Sequence, residues 1–275
     1  MTSRTEGARG PVEWLASREG AVVAAAAGLI VVLAALYTVF GVGMSMSALQ
    51  MTGMARPVGA PMSMPMQPVW TPGYAVLVFL MWWIMMIAMM TPSAAPMLLL
   101  FTALKRQGPE PGRAVAMSLV FLAGYLLSWA GFSLVAMSLQ WLAEWLGHVE
   151  GAMMTLRGHW LAGLVLIGAG LYQFTAMKAA CLSHCQSPAA FLAAHARPGM
   201  AGALRLGLLH GAYCLGCCWA LMALLFVGGI MNLYWIVGLT LYVLAEKLLP
   251  LGPGFARVSG GVLILFGGYV LLGAL

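Results

Sequence analysis

Apolar residues gather into seven stretches, at 21–40, 74–100, 114–140, 159–178, 203–227, 230–249 and 255–275, separated by polar or proline- and glycine-rich connections. A helix of roughly 20 apolar residues crosses the hydrocarbon layer of a membrane, and each stretch is about that long. Helices are the expected spanning form, because each satisfies its own backbone hydrogen bonds where lipid offers no partner. The pattern predicts an all-α fold, a polytopic transmembrane helix bundle of about seven spans. It divides the chain into a leader at 1–20, a first anchor helix at 21–40, an external loop at 41–73 and a helix bundle at 74–275. The first span is too long for a removable signal peptide and lacks a small-residue cleavage site after it, so it reads as a signal anchor.

Composition agrees: 63% of residues are hydrophobic, 7% are charged and the mean hydropathy is +0.95. Such a chain has far more apolar surface than one soluble core could bury. Basic residues near span ends are held on the cytoplasmic side. With the N-terminus inside, Arg4, Arg9, Arg18, Lys105, Arg106, Arg113, Lys178, Arg197, Arg205, Lys247 and Arg257 fall inside, and only Arg56 and Arg157 fall outside. The net charge of +6 is then an orientation signal matched to an anionic lipid bilayer, and it implies no nucleic-acid partner. The chain has no Asp, and its seven Glu residues are scattered, which argues against paired-carboxylate catalysis and against an oxygen-rich Mg or Ca site. HExxH, GxSxG and phosphate-binding glycine loops are absent, so protease, hydrolase and ATPase chemistry is not expected.

Soft sulfur ligands are the chemistry this chain does carry. The loop reads "GMSMSALQMTGMARPVGAPMSMPMQP", with Met44, Met46, Met51, Met54, Met62, Met64 and Met66 interleaved with Ser, Gly and Pro. Its proline and glycine density predicts neither helix nor strand, and a flexible loop has no core for thioethers to fill. Paired thioethers favour Cu(I). In the second span, "MWWIMMIAMMTPSAAPM", Met81, Met85 and Met89 recur every fourth residue, as do Met86 and Met90, making two adjacent stripes; adaptable packing is the alternative role for them. Pro92 and Pro96 should kink or break this helix toward its cytoplasmic end.

The fifth span, "LGLLHGAYCLGCCWALM", sets His210, Cys214, Cys217 and Cys218 at i, i+4, i+7 and i+8 on one helix face, with Met222 a turn further. An intramembrane His is costly without a partner and so marks a functional position; the cysteines could also be small buried hydrophobes. After the fourth span comes "CLSHC", in which Cys181, His184 and Cys185 share a face if the helix continues. Two thiolates and an imidazole suit Cu(I) or Zn, one ligand short of a closed zinc site that His195 or the fifth-span cysteines could complete. The sixth span opens on "GGIMNLYW", with Met231 and Asn232, and ends on "VLAEKLLPLG", where Glu246 and Lys247 point about 100° apart and are free to reach different helices.

At "MWWIMMIAMMTPSAAPMLLL", "KAACLSHC", "GLLHGAYCLGCCWALMALLFVGGIMNLYWI" and "AEKLLPLG" the chain resembles a bacterial family of predicted metal-binding integral membrane proteins, domain of unknown function 2182. The match covers most of residues 75–250 and implies a copper-chaperone-like protein of the bacterial inner membrane, with no catalytic role to carry over. The leading expectation is a membrane protein that binds Cu(I), Zn being the alternative ion, and passes it from external Met to internal Cys and His ligands, toward a copper protein or a membrane metalloenzyme. Two alternatives stand beside it: a thiol-disulfide electron carrier using Cys214 and Cys217, and an accessory subunit that assembles a metalloenzyme.

The orientation is directly testable. A cysteine introduced at Ser63 should react with an impermeant thiol reagent from outside the cell, while Cys181 should not; reversed labelling would overturn the inside and outside assignments.

Overall fold

A computed structural model of the chain describes residues 18–44, 46–55, 58, 69–150, 154–156, 158–249 and 252–273. The expected leader lies almost wholly outside the described residues, as do Met62, Met64 and Met66. Among the described residues the fold is all-α apart from one hairpin of two-residue strands. Its helices are α1 (Arg18–Phe40), α2 (Ala48–Gly53), α3 (Pro72–Arg106), α4 (Ala114–Trp145), α5 (His159–Tyr172), α6 (Ala176–Gln186), α7 (Pro188–His195), α8 (Gly199–Ala223), α9 (Leu225–Gly228), α10 (Leu233–Leu248) and α11 (Gly252–Leu272). Strands β1 (Val149–Glu150) and β2 (Thr155–Leu156) pair antiparallel between α4 and α5.

Among the described residues, five helical segments are long and apolar enough to cross a membrane: Glu19–Phe40, Pro72–Arg106, Pro111–Trp145, Gly199–Gly228 and Gly254–Leu272. Helices α5 and α6 make a sixth candidate span only if taken together, because the chain bends by 64° between them. The structure thus carries five or six candidate spans where the sequence pattern predicts about seven. Two local causes account for the difference. The fourth apolar stretch does not run on as one helix to 178: it ends at Tyr172, and Thr175 starts α6 by accepting a hydrogen bond from the Lys178 amide at 3.2 Å. The stretch 230–249 forms only the 16 residues of α10, because Asn232 caps its start through the Tyr234 amide at 3.0 Å. At about 1.5 Å per residue, α10 is shorter than the hydrocarbon layer is thick.

Two further expectations are corrected. The loop 41–73 does contain a helix, α2, since its prolines begin only at Pro57 and the preceding "SALQ" forms a capping box: the Ser47 hydroxyl takes the Gln50 amide while the Gln50 side chain takes the Ser47 amide at 2.9 Å. The Thr52 hydroxyl then accepts from the Leu233 amide at 2.9 Å and ties α2 to the start of α10. In α3, Pro92 and Pro96 do not break the helix, which runs unbroken through both for 35 residues. Packing against neighbouring helices lets a membrane helix tolerate proline, and α3 packs against both α1 and α4. In the same stretch the Ser93 and Tyr125 hydroxyls both donate to the Met90 carbonyl, at 2.8 and 2.9 Å.

Helix pairing follows small residues, as membrane helices need close backbone approach where lipid gives them no hydrophobic drive to associate. Helices α4 and α8 pack most extensively, and a Cβ on Gly207 would collide with the Phe121 carbonyl oxygen. The α5 and α11 pair meets at Gly163 and Gly170 against Gly267 and Gly260, where an added Cβ would stand 2.7–2.9 Å from the facing glycine carbonyls. Helix α3 packs between α1 and α4, and the buried core holds Trp82, Phe101, Phe121, Tyr125 and Trp129. Arg106 at the end of α3 pairs with Glu19 at the start of α1.

Gly207→Ala should lower the thermal midpoint of the detergent-solubilised protein by an amount corresponding to about 1–3 kcal/mol, the usual cost of overpacking. Gly131→Ala on α4, where an added Cβ meets nothing within 4 Å, should leave it unchanged or raise it. Equal shifts would contradict the close α4–α8 contact.

Candidate metal centre

Helix α8 has no interior proline, and its 3.6-residue period carries its ligand-type residues inward. His210, Cys214, Cys217, Cys218 and Met222 are all buried, with exposures from 0 to 3%. The thiols of Cys217 and Cys218 both donate to the Cys214 carbonyl, each at 3.0 Å, so part of their hydrogen bonding is met by the helix itself.

Cys185 reaches this stripe from α6. Its side chain interacts with those of Cys214 and Cys217, and Cys218 interacts with the same two, which makes a ring of four thiols across two helices. Two groups from other helices converge on Cys214. The Tyr125 hydroxyl lies 3.1 Å from its sulfur while donating to the Met90 carbonyl. Lys247 Nζ donates to the same sulfur at 2.8 Å and to Ser93 Oγ at 3.3 Å. His210, one turn before Cys214, packs its ring against Phe121 and Tyr125 at centroid distances of 6.0 and 5.7 Å, and among the described residues its buried Nδ1 has no hydrogen-bond partner. A buried polar atom left unpaired costs about 1–3 kcal/mol, so Nδ1 is a donor atom in want of a partner.

The "CLSHC" residues do not act together. Cys185 joins the ring, whereas Cys181 lies against Gly216, where an added Cβ would stand 2.6 Å from its sulfur. His184 turns to the aromatic cluster of α7 and α8: its ring stacks on Tyr213 at 4.1 Å, and its Nδ1 lies 2.7 Å from the Ala180 carbonyl. His195 lies in the same cluster, 6.3 Å from His184 between ring centroids. The α3 methionines Met81, Met85, Met86, Met89 and Met90 are all buried at 3% exposure or less, as are Met51 of α2 and Met231. Met44 and Met46 are half-buried against the same core. Asn232 serves as the α10 cap, and its amide also donates to the Gly228 carbonyl at 2.9 Å. Glu246 accepts from Lys178 Nζ at 2.6 Å, with both side chains buried, so it is committed to an ion pair.

Among the described residues, no group of three or more His, Cys, Asp or Glu side chains is arranged to hold a metal ion. The donor set is nonetheless soft throughout, thiol and thioether with one imidazole, and it contains no carboxylate. That chemistry fits Cu(I) better than a hard cation. Tyr125 and Ser93 are the partners that the sequence reading passed over. A signal for the first was there: "FLAGYLLSW" puts a tyrosine hydroxyl inside an apolar span, where it must find a partner. At the other end of α3 and α4, Trp82 Nε1 donates to Gln140 at 2.8 Å, and Gln140 donates to Glu144 at 2.8 Å and to the Met154 sulfur at 2.9 Å. This second polar cluster was equally unforeseen.

The model of the PpoB2 family, described as copper chaperone, matches residues 79–270, and the chain belongs to that family. No curated protein and no solved structure matches the chain.

Burial predicts the order in which thiols react. A water-soluble alkylating reagent should modify the half-exposed Cys181 and Cys185 in the folded, detergent-solubilised protein, and the buried Cys214, Cys217 and Cys218 only after unfolding. Mass spectrometry of peptides reads this directly, and simultaneous modification of all five would contradict the burial of the three α8 thiols.

Proposed function

We propose that this copper chaperone family member works as a multi-pass protein of a bacterial inner membrane that carries Cu(I) inward from thioether to thiolate. Methionines of the external loop collect the ion. Met81, Met85, Met86, Met89 and Met90 of α3 pass it along, and the thiols of Cys185, Cys214, Cys217 and Cys218 receive it with His210 beside them. The client is a copper protein or a membrane metalloenzyme that takes its metal from this thiol site. Because a soft thiolate holds Cu(I) more tightly than a thioether, the sequence of ligands gives movement a direction without nucleotide hydrolysis.

One observation carries this reading: the Tyr125 hydroxyl lies 2.9 Å from the carbonyl of Met90, the last methionine of the stripe, and 3.1 Å from the sulfur of Cys214. One buried hydroxyl thus bridges the backbone at the last methionine of the stripe and the first thiol of α8, and this proximity of the two helices supports the reading. A thiol-disulfide carrier using Cys214 and Cys217 fits less well, since exchange with a partner protein needs a thiolate that the partner's sulfur can reach, and Cys214 and Cys217 are 1% and 0% exposed.

The test uses purified protein and proteoliposomes of known orientation with a trapped Cu(I) indicator. Cys214→Ser with Cys217→Ser should insert normally and lose stoichiometric Cu(I) binding, since serine is close in size but is not a soft ligand. Met85→Leu with Met89→Leu should fold at a cost below about 1.5 kcal/mol and still bind Cu(I) at the cysteines, yet load that site from the external face at least tenfold more slowly. Copper binding that survives the cysteine changes would sink the site, and unchanged loading in the methionine variant would sink the path.

A further inference from the structure

Lys247 is buried at 6% exposure, and its sequence neighbour does not balance its charge. Glu246 is taken by Lys178 at 2.6 Å; both are nearly inaccessible, at 2% and 1%, and together they form a neutral pair. The chain has no Asp, and Glu246 is the only acidic side chain among residues 176–275. Among the described residues Lys247 makes no ion pair with a carboxylate. A buried ion without a counter-charge costs several kcal/mol, yet this ammonium is held in place by Ser93 Oγ at 3.3 Å, with Ser93 itself anchored to the Met90 carbonyl at 2.8 Å. What it faces instead is sulfur, the Cys214 Sγ at 2.8 Å.

The metal side has the complementary deficit. A Cu(I) ion held by two thiolates carries one net negative charge, and leaving that charge uncompensated inside a helix bundle is costly for the same reason. We propose that Lys247 is the counter-cation of the copper-thiolate site. As an ammonium it has no lone pair and is no ligand; it acts through Cys214 as a positioning residue. With it, one Cu(I), two thiolates and one ammonium sum to a neutral assembly. A divalent ion on the same two thiolates would leave a net positive charge, so the arrangement favours a monovalent one. This inference rests on the thiol ring being the Cu(I) site.

The experiment measures Cu(I) affinity of the full-length protein, anaerobically, by competition with a chromophoric Cu(I) chelator. It compares the wild type with Lys247→Arg, Lys247→Met and Lys247→Gln, and with the Cys214→Ser, Cys217→Ser double variant. Lys247→Arg keeps the charge and should bind like the wild type. Lys247→Met should bind about 10–100-fold more weakly, the usual loss on removing a partner from around a metal site, with the same stoichiometry at saturating copper. Lys247→Gln keeps the means to hydrogen-bond Ser93 and Cys214 without the charge. It should weaken binding as Met does, and it keeps the test alive if the Met variant fails to fold. Wild-type affinity in the Gln variant would assign the role to hydrogen bonding and overturn the proposal. Tighter binding in either uncharged variant would make the ammonium a competitor for the metal and overturn it equally. If the double cysteine variant still binds Cu(I), the site reading itself has failed; if it does not bind, and the Lys247 variants match the wild type, only the counter-cation has failed.

Discussion

The sulfur of Cys214 is the point on which the polar interior of this bundle depends. It belongs to α8, contacts the thiol of Cys185 from α6, lies 3.1 Å from the Tyr125 hydroxyl of α4 and accepts from Lys247 of α10 at 2.8 Å. Through Tyr125 and Ser93 it is linked to the Met90 carbonyl of α3. Each of these groups would be an expensive orphan if moved, because a bundle read as membrane-embedded offers few other partners. The arrangement is therefore cooperative: glycines let α4 and α8 approach, that approach brings Tyr125 to Cys214, and the same sulfur accepts the ammonium from α10.

Two buried lysines show how the interior solves one problem in two ways. Lys178 has a carboxylate, Glu246, and that carboxylate is further supported by the Tyr242 hydroxyl at 3.2 Å, which meets Ser259 of α11 at 2.6 Å. The pair thereby ties α6, α10 and α11 into one network. Lys247, the very next residue along α10, has no carboxylate and is directed to sulfur. Adjacent helical positions point about 100° apart, so a single turn of α10 serves a structural ion pair on one side and the candidate metal centre on the other.

Much of this was legible in the chain. The α8 stripe needed only helical spacing, which is why the sequence alone sets His210, Cys214, Cys217 and Cys218 on one helix face, the face the structure buries. The divergent directions of Glu246 and Lys247 followed from the same geometry, although their partners did not, since contacts between helices distant in sequence leave no periodic trace. The "CLSHC" segment shows the limit most clearly. Its spacing puts Cys181, His184 and Cys185 on nearby positions of a helix, yet packing sends Cys185 to the thiol ring, His184 to Tyr213 and Cys181 to Gly216. Local rules also misled where a short exception outweighed average composition: "SALQ" caps α2 within a proline-rich loop, Thr175 restarts the chain as α6, and packing carries α3 through two prolines. Hydropathy alone counted α10 as a span because it measures apolar length and does not register where a cap begins the helix.

The central claim is that a soft monovalent metal sits on the thiols around Cys214. X-ray absorption at the copper edge on the wild-type protein loaded with one equivalent of Cu(I) tests it most directly. The account predicts an inner shell of sulfur at low coordination number, which Cys214→Ser with Cys217→Ser removes. A shell dominated by nitrogen or oxygen, or a sulfur shell that survives that double change, would contradict it.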